Sequence, residues 1–210
     1  GKFAPLAKLK IRKLGESSVA KPSVPNLDYG RYHALVIGNN NYRYMGNLQT
    51  AVNDARRVSA VLEDDYGFEV KLLRNASRDD VIKSLSGLRR KVRSEDNLLI
   101  YYAGHGYADG ATGYWLPIDA DDPSLEDDTN WISDDRLTRI ISKIPAKHIL
   151  VVADSCYSGS IMRGSSFISR NTNNNIYHYR NLLEKKTRRA FTSGANQPVL
   201  DGGGQGHSIF

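Results

Sequence analysis

The sequence predicts an α/β fold built on one mostly parallel sheet with helices on both faces. Three observations carry that prediction. Short apolar runs alternate with segments of helical spacing, the order expected of βαβ units. Most of the runs are continuously apolar, as strands buried on both faces must be. Two of them stop abruptly at loops of chemically active residues, and open parallel sheets carry their sites at such strand ends.

Tyr32 to Gly38 reads as the first strand, and Asn39 to Tyr42 as the loop after it. Asn47 to Tyr66 follows as a helix, with Leu48, Val52, Ala55, Val58, Val61 and Leu62 on one stripe and Gly67 as its cap. Phe68 to Leu73 alternates as a second strand. Ser77 caps a helix running to about Val92, where Asp79 and Asp80 suit the positive end of the helix dipole. Leu98 to Ala103 is a third strand. Ser133 caps a helix carrying Leu137, Ile140 and Ile141, His148 to Ala153 is a fourth strand, and Ala190 to Gly194 a fifth.

Residues 1–31 read as a basic, proline-containing tail. Residues 1–25 hold six Lys or Arg against Glu16 alone, which is most of the chain's formal net charge of +6. A charge run of this kind is more often a solvated linker than a nucleic-acid arm. Only Phe3 interleaves with it, so a base-stacking surface is not expected. No apolar run reaches membrane-spanning length and the basic start lacks a signal-peptide core. A single cysteine among 210 residues fits a reducing, cytoplasmic setting.

That cysteine, Cys156, cannot form an internal disulfide or join a cysteine-based metal cluster. It is either a buried inert thiol or a nucleophile. Its neighbours Asp154, Ser155, Tyr157 and Gly159 form a polar loop past a strand end, which favours the nucleophile. His105 follows another strand, between Gly104 and Gly106, about fifty residues upstream. His33 and His148 begin strands, His178 lies in a polar segment and His207 lies near the C-terminus. His105 is therefore the base of a candidate Cys-His dyad.

Tyr102-Ala-Gly-His-Gly106 together with Asp154-Ser-Cys-Tyr-Ser-Gly159 resembles the caspase-fold cysteine peptidases of family C14. The metacaspase, orthocaspase and bacterial caspase-like branch is closer than the animal caspases, which have Gln at the place of Asp154 and Arg at the place of Tyr157. The resemblance extends to Ile37-Gly38-Asn39, Leu48 to Asp54 and Thr192-Ser193-Gly194. It implies a caspase-like fold, with residues 32–159 as a large-subunit region, 160–189 as a basic intersubunit-type loop and 190–210 as the start of a small-subunit region. It implies an incomplete small-subunit region, because relatives continue past a His-Ser-Ile-Phe segment like the one at the end of this chain.

The resemblance implies a cysteine endopeptidase with peptide or protein substrates. Cys156 is the expected nucleophile and His105 the base, with the backbone N–H groups of Gly106 and Cys156 as oxyanion donors. Asp154, two residues before the nucleophile, is expected in the pocket for the residue preceding the cut, where it would pair with Arg or Lys. The plainer role for Asp154 is a loop hydrogen bond. The resemblance supplies Asp201 as a second pocket acid; the plainer reading there is a turn before Gly202. Self-cleavage in the basic loop, at Arg163, Arg170 or Arg180, would accompany such specificity, and an uncut basic loop is the alternative. The sequence requires no cofactor. Asp119, Asp121, Asp122, Glu126, Asp127, Asp128, Asp134 and Asp135 are the oxygen donors that Ca²⁺ selects, and some metacaspases need it, yet their spacing matches no Ca²⁺ loop. A silent caspase-like scaffold is the alternative function, disfavoured because both His105 and Cys156 are present.

Overall fold

The computed structural model describes residues 29–109, 112–125, 127–155 and 186–192. Eight strands and three α-helices alternate over these residues: β1 (Tyr32–Gly38), α1 (Ala51–Asp64), β2 (Glu69–Arg74), α2 (Arg78–Lys91), β3 (Asn97–Ala103), β4 (Gly106–Asp109), β5 (Thr112–Trp115), β6 (Ile132–Ser133), α3 (Asp134–Ile141), β7 (His148–Asp154) and β8 (Thr187–Thr192). Five of the strands form one parallel sheet in the order β2-β1-β3-β7-β8.

Both faces of this sheet are buried, so both side-chain parities are apolar. Leu35, Ile37, Leu98, Ile100, Tyr102, Ile149, Val151 and Ala153 pack beneath α2 and α3 with Val81, Leu85, Leu137 and Ile141. Ala34, Val36, Tyr101 and Ala103 face α1, through Ala51, Ala55 and Leu62. Helix α1 lies close on β1. A Cβ on Gly38 would come within 2.6 Å of the Ala51 carbonyl oxygen and of the Ala55 methyl group, so only glycine fits there.

The capping expectations hold for α2 and α3. Ser77 accepts from the Asp80 N–H and Asp80 answers with its carboxylate on the Ser77 N–H, a reciprocal capping box. Ser133 accepts from the Arg136 N–H at the start of α3. Two boundaries differ from the sequence reading. Helix α1 begins at Ala51, because Asn40 and Asn47 draw residues 39–50 into a hydrogen-bonded loop instead. The last strand begins at Thr187 instead of Ala190, since Thr187, Arg188 and Arg189 pair with His148, Ile149 and Leu150. The basic segment therefore gives up its final residues to the sheet.

Arg188 fastens that strand. Its guanidinium donates to the carbonyl oxygens of Ile144 (3.2 Å), Ala146 (2.7 Å), Lys147 (3.1 Å) and Thr187 (2.8 Å). The same N-terminal edge of the sheet is tied further along by Asp96. Its carboxylate accepts the backbone N–H groups of Arg31 (2.9 Å) and Arg93 (2.8 Å) and lies 3.2 Å from His33 Nε2. His33, at the wrong edge for a strand-end site, also lies 3.1 Å from the Glu69 carboxylate.

Strand order places the functional edge. From β1 the chain turns one way to β2, then returns past β1 to β3, so β1 and β3 flank the topological switch point. Loops leaving the C-terminal ends of these two strands open a crevice there. Residues 39–50 leave β1, and Gly104 and His105 leave β3.

Candidate active site

Asparagines build the loop after β1, because their side chains imitate backbone groups. Asn75, held at a φ of 51°, accepts the N–H groups of Asn40 (2.8 Å) and Asn41 (3.1 Å) through its side-chain oxygen. Asn39 accepts from the Ala76 N–H at 2.8 Å, Asn40 from Val52 at 3.0 Å, and Asn47 from Tyr42 at 2.8 Å. The loop so formed carries the Gly46 carbonyl to His105. Nε2 of His105 lies 2.8 Å from that oxygen. A carbonyl can only accept, so Nε2 carries the proton and the lone pair of the neutral ring is on Nδ1.

The backbone of His105 is held as firmly. Its N–H donates to the Tyr42 hydroxyl oxygen at 2.7 Å, and its carbonyl accepts from the Tyr102 hydroxyl at 2.8 Å and from the Leu116 N–H at 3.0 Å. Burial pushes the Tyr42 phenol well above its ordinary pKa, outweighing the lowering effect of the His105 N–H, so the phenol stays neutral. The same Leu116–His105 bond brackets the Gly106–Trp115 pair in the β4–β5 ladder. That makes it a non-hydrogen-bonded pair, and the Gly106 N–H points away from β5.

Strand β7 ends beside this loop. Ala103 pairs with Asp154, and the Gly104 N–H donates to the Asp154 carbonyl at 3.3 Å. Asp154 and Ser155 are both buried, and Cys156 follows in the sequence, outside the described residues. Asp201, Arg163, Arg170 and Arg180 lie outside them too.

Asp154 does not stand alone on its face of the sheet. Tyr101 of β3 is 7% exposed, and its phenol pKa is raised by burial first, then by the charges of Asp154 and of Asp54 on α1. Asp54 and Asp154 are each 8% exposed. Two buried carboxylates thus act on one tyrosine at the functional edge. The sequence reading included Asp54 in the resembling stretch Leu48 to Asp54 but gave it no role, although an acid between Val52 and Ala55 on the inward stripe of a helix was a visible signal.

The acidic stretch from Asp119 is used for loop construction. Asp119 accepts the Arg78 N–H (2.7 Å), Asp121 the Asn130 side-chain amide (3.2 Å), Asp122 the Ser124 N–H (2.8 Å) and Asp127 the Thr129 N–H (3.0 Å). Among the described residues no group of three or more His, Cys, Asp or Glu side chains is arranged to hold a metal ion. No helix among them is long and apolar enough to cross a membrane.

A sequence model described as the caspase domain, of peptidase family C14, matches residues 31–199. Over 155 residues the chain is 24% identical to Metacaspase-1 of Ajellomyces capsulatus, covering 63% of this chain and 42% of that protein. It is 29% identical over 147 residues to Metacaspase-6 of Arabidopsis thaliana (61% and 38% covered) and 30% identical over 141 residues to Metacaspase-7 of the same plant (61% and 35% covered). The matched stretch thus spans well under half the length of these relatives. A crystal structure of a protein from Geobacter sulfurreducens superposes with a TM-score of 0.51 at 24% identity, over 62% of this chain and 52% of that one, a likeness of fold.

Proposed function

Because this chain belongs to the caspase-domain family, we propose that it is a cysteine endopeptidase cutting after Arg or Lys, with Cys156 as nucleophile and His105 as base. The observation that carries this reading is the fixed orientation of His105. Gly46 holds the Nε2 proton, which leaves Nδ1 as the basic atom, at the sheet edge where β7 delivers Asp154 and Ser155.

The chemistry proceeds in two halves. Nδ1 takes the thiol proton as the Cys156 sulfur attacks the scissile carbonyl carbon and the C=O electron pair moves to oxygen. The Gly106 N–H, turned out of its ladder, and the Cys156 N–H would share the resulting oxyanion. Collapse breaks the C–N bond, and the imidazolium returns its proton to the leaving amine. Water, deprotonated by the same imidazole, then hydrolyses the thioester and restores the thiol.

Arg or Lys specificity follows from the acids. A substrate guanidinium or ammonium entering beside Asp154 meets a buried carboxylate, and Asp54 next to Tyr101 supplies a second negative charge. Asp54 supports that pocket through its burial and its charge felt by Tyr101; Asp201 keeps its place in the proposal from the resemblance. The same specificity would let the enzyme cut its own basic segment at Arg163, Arg170 or Arg180. A single cysteine acting as thiolate fits a cytoplasmic, reducing setting.

The test is cleavage of fluorogenic peptides ending in Arg, Lys or Asp, with Cys156→Ala and His105→Gln as controls. Arg and Lys peptides are expected to be cut, and both variants to be inactive. Cleavage after Asp alone would overturn the acidic pocket and keep the dyad; equal activity in Cys156→Ala would overturn the peptidase reading. Running the assay in Ca²⁺ and in EDTA reads metal dependence in the same plate.

A further inference from the structure

We propose that Tyr42 is a positioning residue for His105, acting with Tyr102 as a pair of phenols that grip the histidine's backbone from both ends. The inference rests on the peptidase reading above and extends it to how the base is held.

His105 needs such a grip because glycines flank it on both sides and contribute no side-chain packing. Tyr42 accepts the His105 N–H at 2.7 Å, while Tyr102 donates to the His105 carbonyl at 2.8 Å. The Tyr42 ring also lies against the imidazole, centroid to centroid 4.6 Å at 51°. It therefore restrains both the backbone and the ring plane.

Both phenols are themselves immobilised. Tyr42 is 7% exposed and packs with Leu116, Ala120 and Trp131. Tyr102 is buried and stacks on Trp115 at 4.4 Å and 5°, and its one O–H proton is shared between the His105 and Leu116 carbonyls, each 2.8 Å away. The two hydroxyls converge beneath Gly104, where a Cβ would stand 2.7 Å from each. Gly104 is thus glycine because the phenols occupy its side-chain space.

The two tyrosines are unequal. The His105 carbonyl keeps the Leu116 N–H at 3.0 Å if Tyr102 loses its hydroxyl. Among the described residues only the Tyr42 oxygen accepts the His105 N–H. Loss of the Tyr42 hydroxyl should therefore move the base more than loss of the Tyr102 hydroxyl.

The experiment compares Tyr42→Phe and Tyr102→Phe in the full chain, reading kcat and KM on an Arg-ended peptide. Ring ¹⁵N signals of His105, assigned with His105→Gln, report the tautomer directly. Tyr42→Phe, which preserves ring and volume, should lower kcat roughly 10- to 100-fold, the order that a small misplacement of a catalytic group costs. KM should stay within about twofold, since substrate binding is not touched. Tyr102→Phe should lose less than about threefold in kcat. The His105 ring should shift from the Nε2-protonated pattern towards a mixture in Tyr42→Phe. Gly104→Ala, which drives a methyl group into both hydroxyls, should reproduce the kcat loss from the other side. Unchanged kcat and unchanged ring signals in Tyr42→Phe would overturn the proposal. So would equal kcat losses in the two tyrosine variants that merely follow their melting temperatures. If the parent protein cuts no peptide, the peptidase reading fails by itself. The ring signals then still decide, and an unshifted tautomer in Tyr42→Phe would overturn the positioning role.

Discussion

A histidine between two glycines could point in many directions, and the Gly46 carbonyl selects one of them. That carbonyl belongs to the loop of residues 39–50, of which the sequence reading took 39–42 as a loop and 47–50 as the start of a helix. His105 was legible because it ends an apolar run; Gly46 was not, because a carbonyl contributes no letter to the sequence. Asp154 was singled out from its distance to Cys156, whereas Asp54 was named only as the end of a resembling stretch on a helix and given no role. At this scale the acids give a specificity prediction. Asp154→Asn should lower kcat/KM for Arg and Lys peptides by about tenfold to a hundredfold, the worth of one hydrogen bond to a charged group. Peptides ending in a neutral residue should be unaffected, and a uniform loss across all peptides would point to misfolding instead. Asp54→Asn should show the same selective loss, measured on the same panel.

Elements of the parallel sheet were readable because burial on two faces leaves continuous apolar runs, as in Leu98 to Ala103 and His148 to Ala153. The small antiparallel sheet β4-β5-β6 was not, since its strands are two to four residues long and half exposed. Strand β8 was only half seen. An edge strand tolerates charge on its open side, and Thr187, Arg188 and Arg189 look like loop until their pairing with β7 is known. Arg188 turns that charge into attachment, with four backbone carbonyl oxygens around one half-buried guanidinium. Arg188→Ala should destabilise the protein by about 1–3 kcal/mol through loss of the guanidinium hydrogen bonds to those carbonyls. Urea unfolding measures this, and Arg188→Lys should restore only part, because an ammonium lacks the planar fork.

For the whole molecule, acid stability is set partly at the edge far from the proposed chemistry. Burial alone would raise the Asp96 pKa, but the N–H groups of Arg93 and Arg31 and the His33 ring together hold it below the ordinary aspartate value. A carboxyl depressed in the folded state binds its proton more readily when unfolded. Its contribution is therefore complete above the unfolded pKa and is lost as pH falls through the folded one. Asp96→Asn should lower stability at pH 7 and flatten the fall in unfolding free energy below about pH 4. Denaturant melts from pH 7 to 3 compare the two slopes, and parallel curves would sink this account.

Parallel pairing of β7 with β8 also has a mechanical meaning. The chain leaves β7 at one edge of the sheet and must enter β8 at the other, a strand's length of roughly 20 Å away. Residues 156–185 have a contour of roughly 100 Å, several times what that return requires. A single nick there would leave every described pair between β7 and β8 in place. The β8 fragment would remain seated by its ladder and by Arg188, so a cut molecule should elute as one particle and separate into two bands only after denaturation.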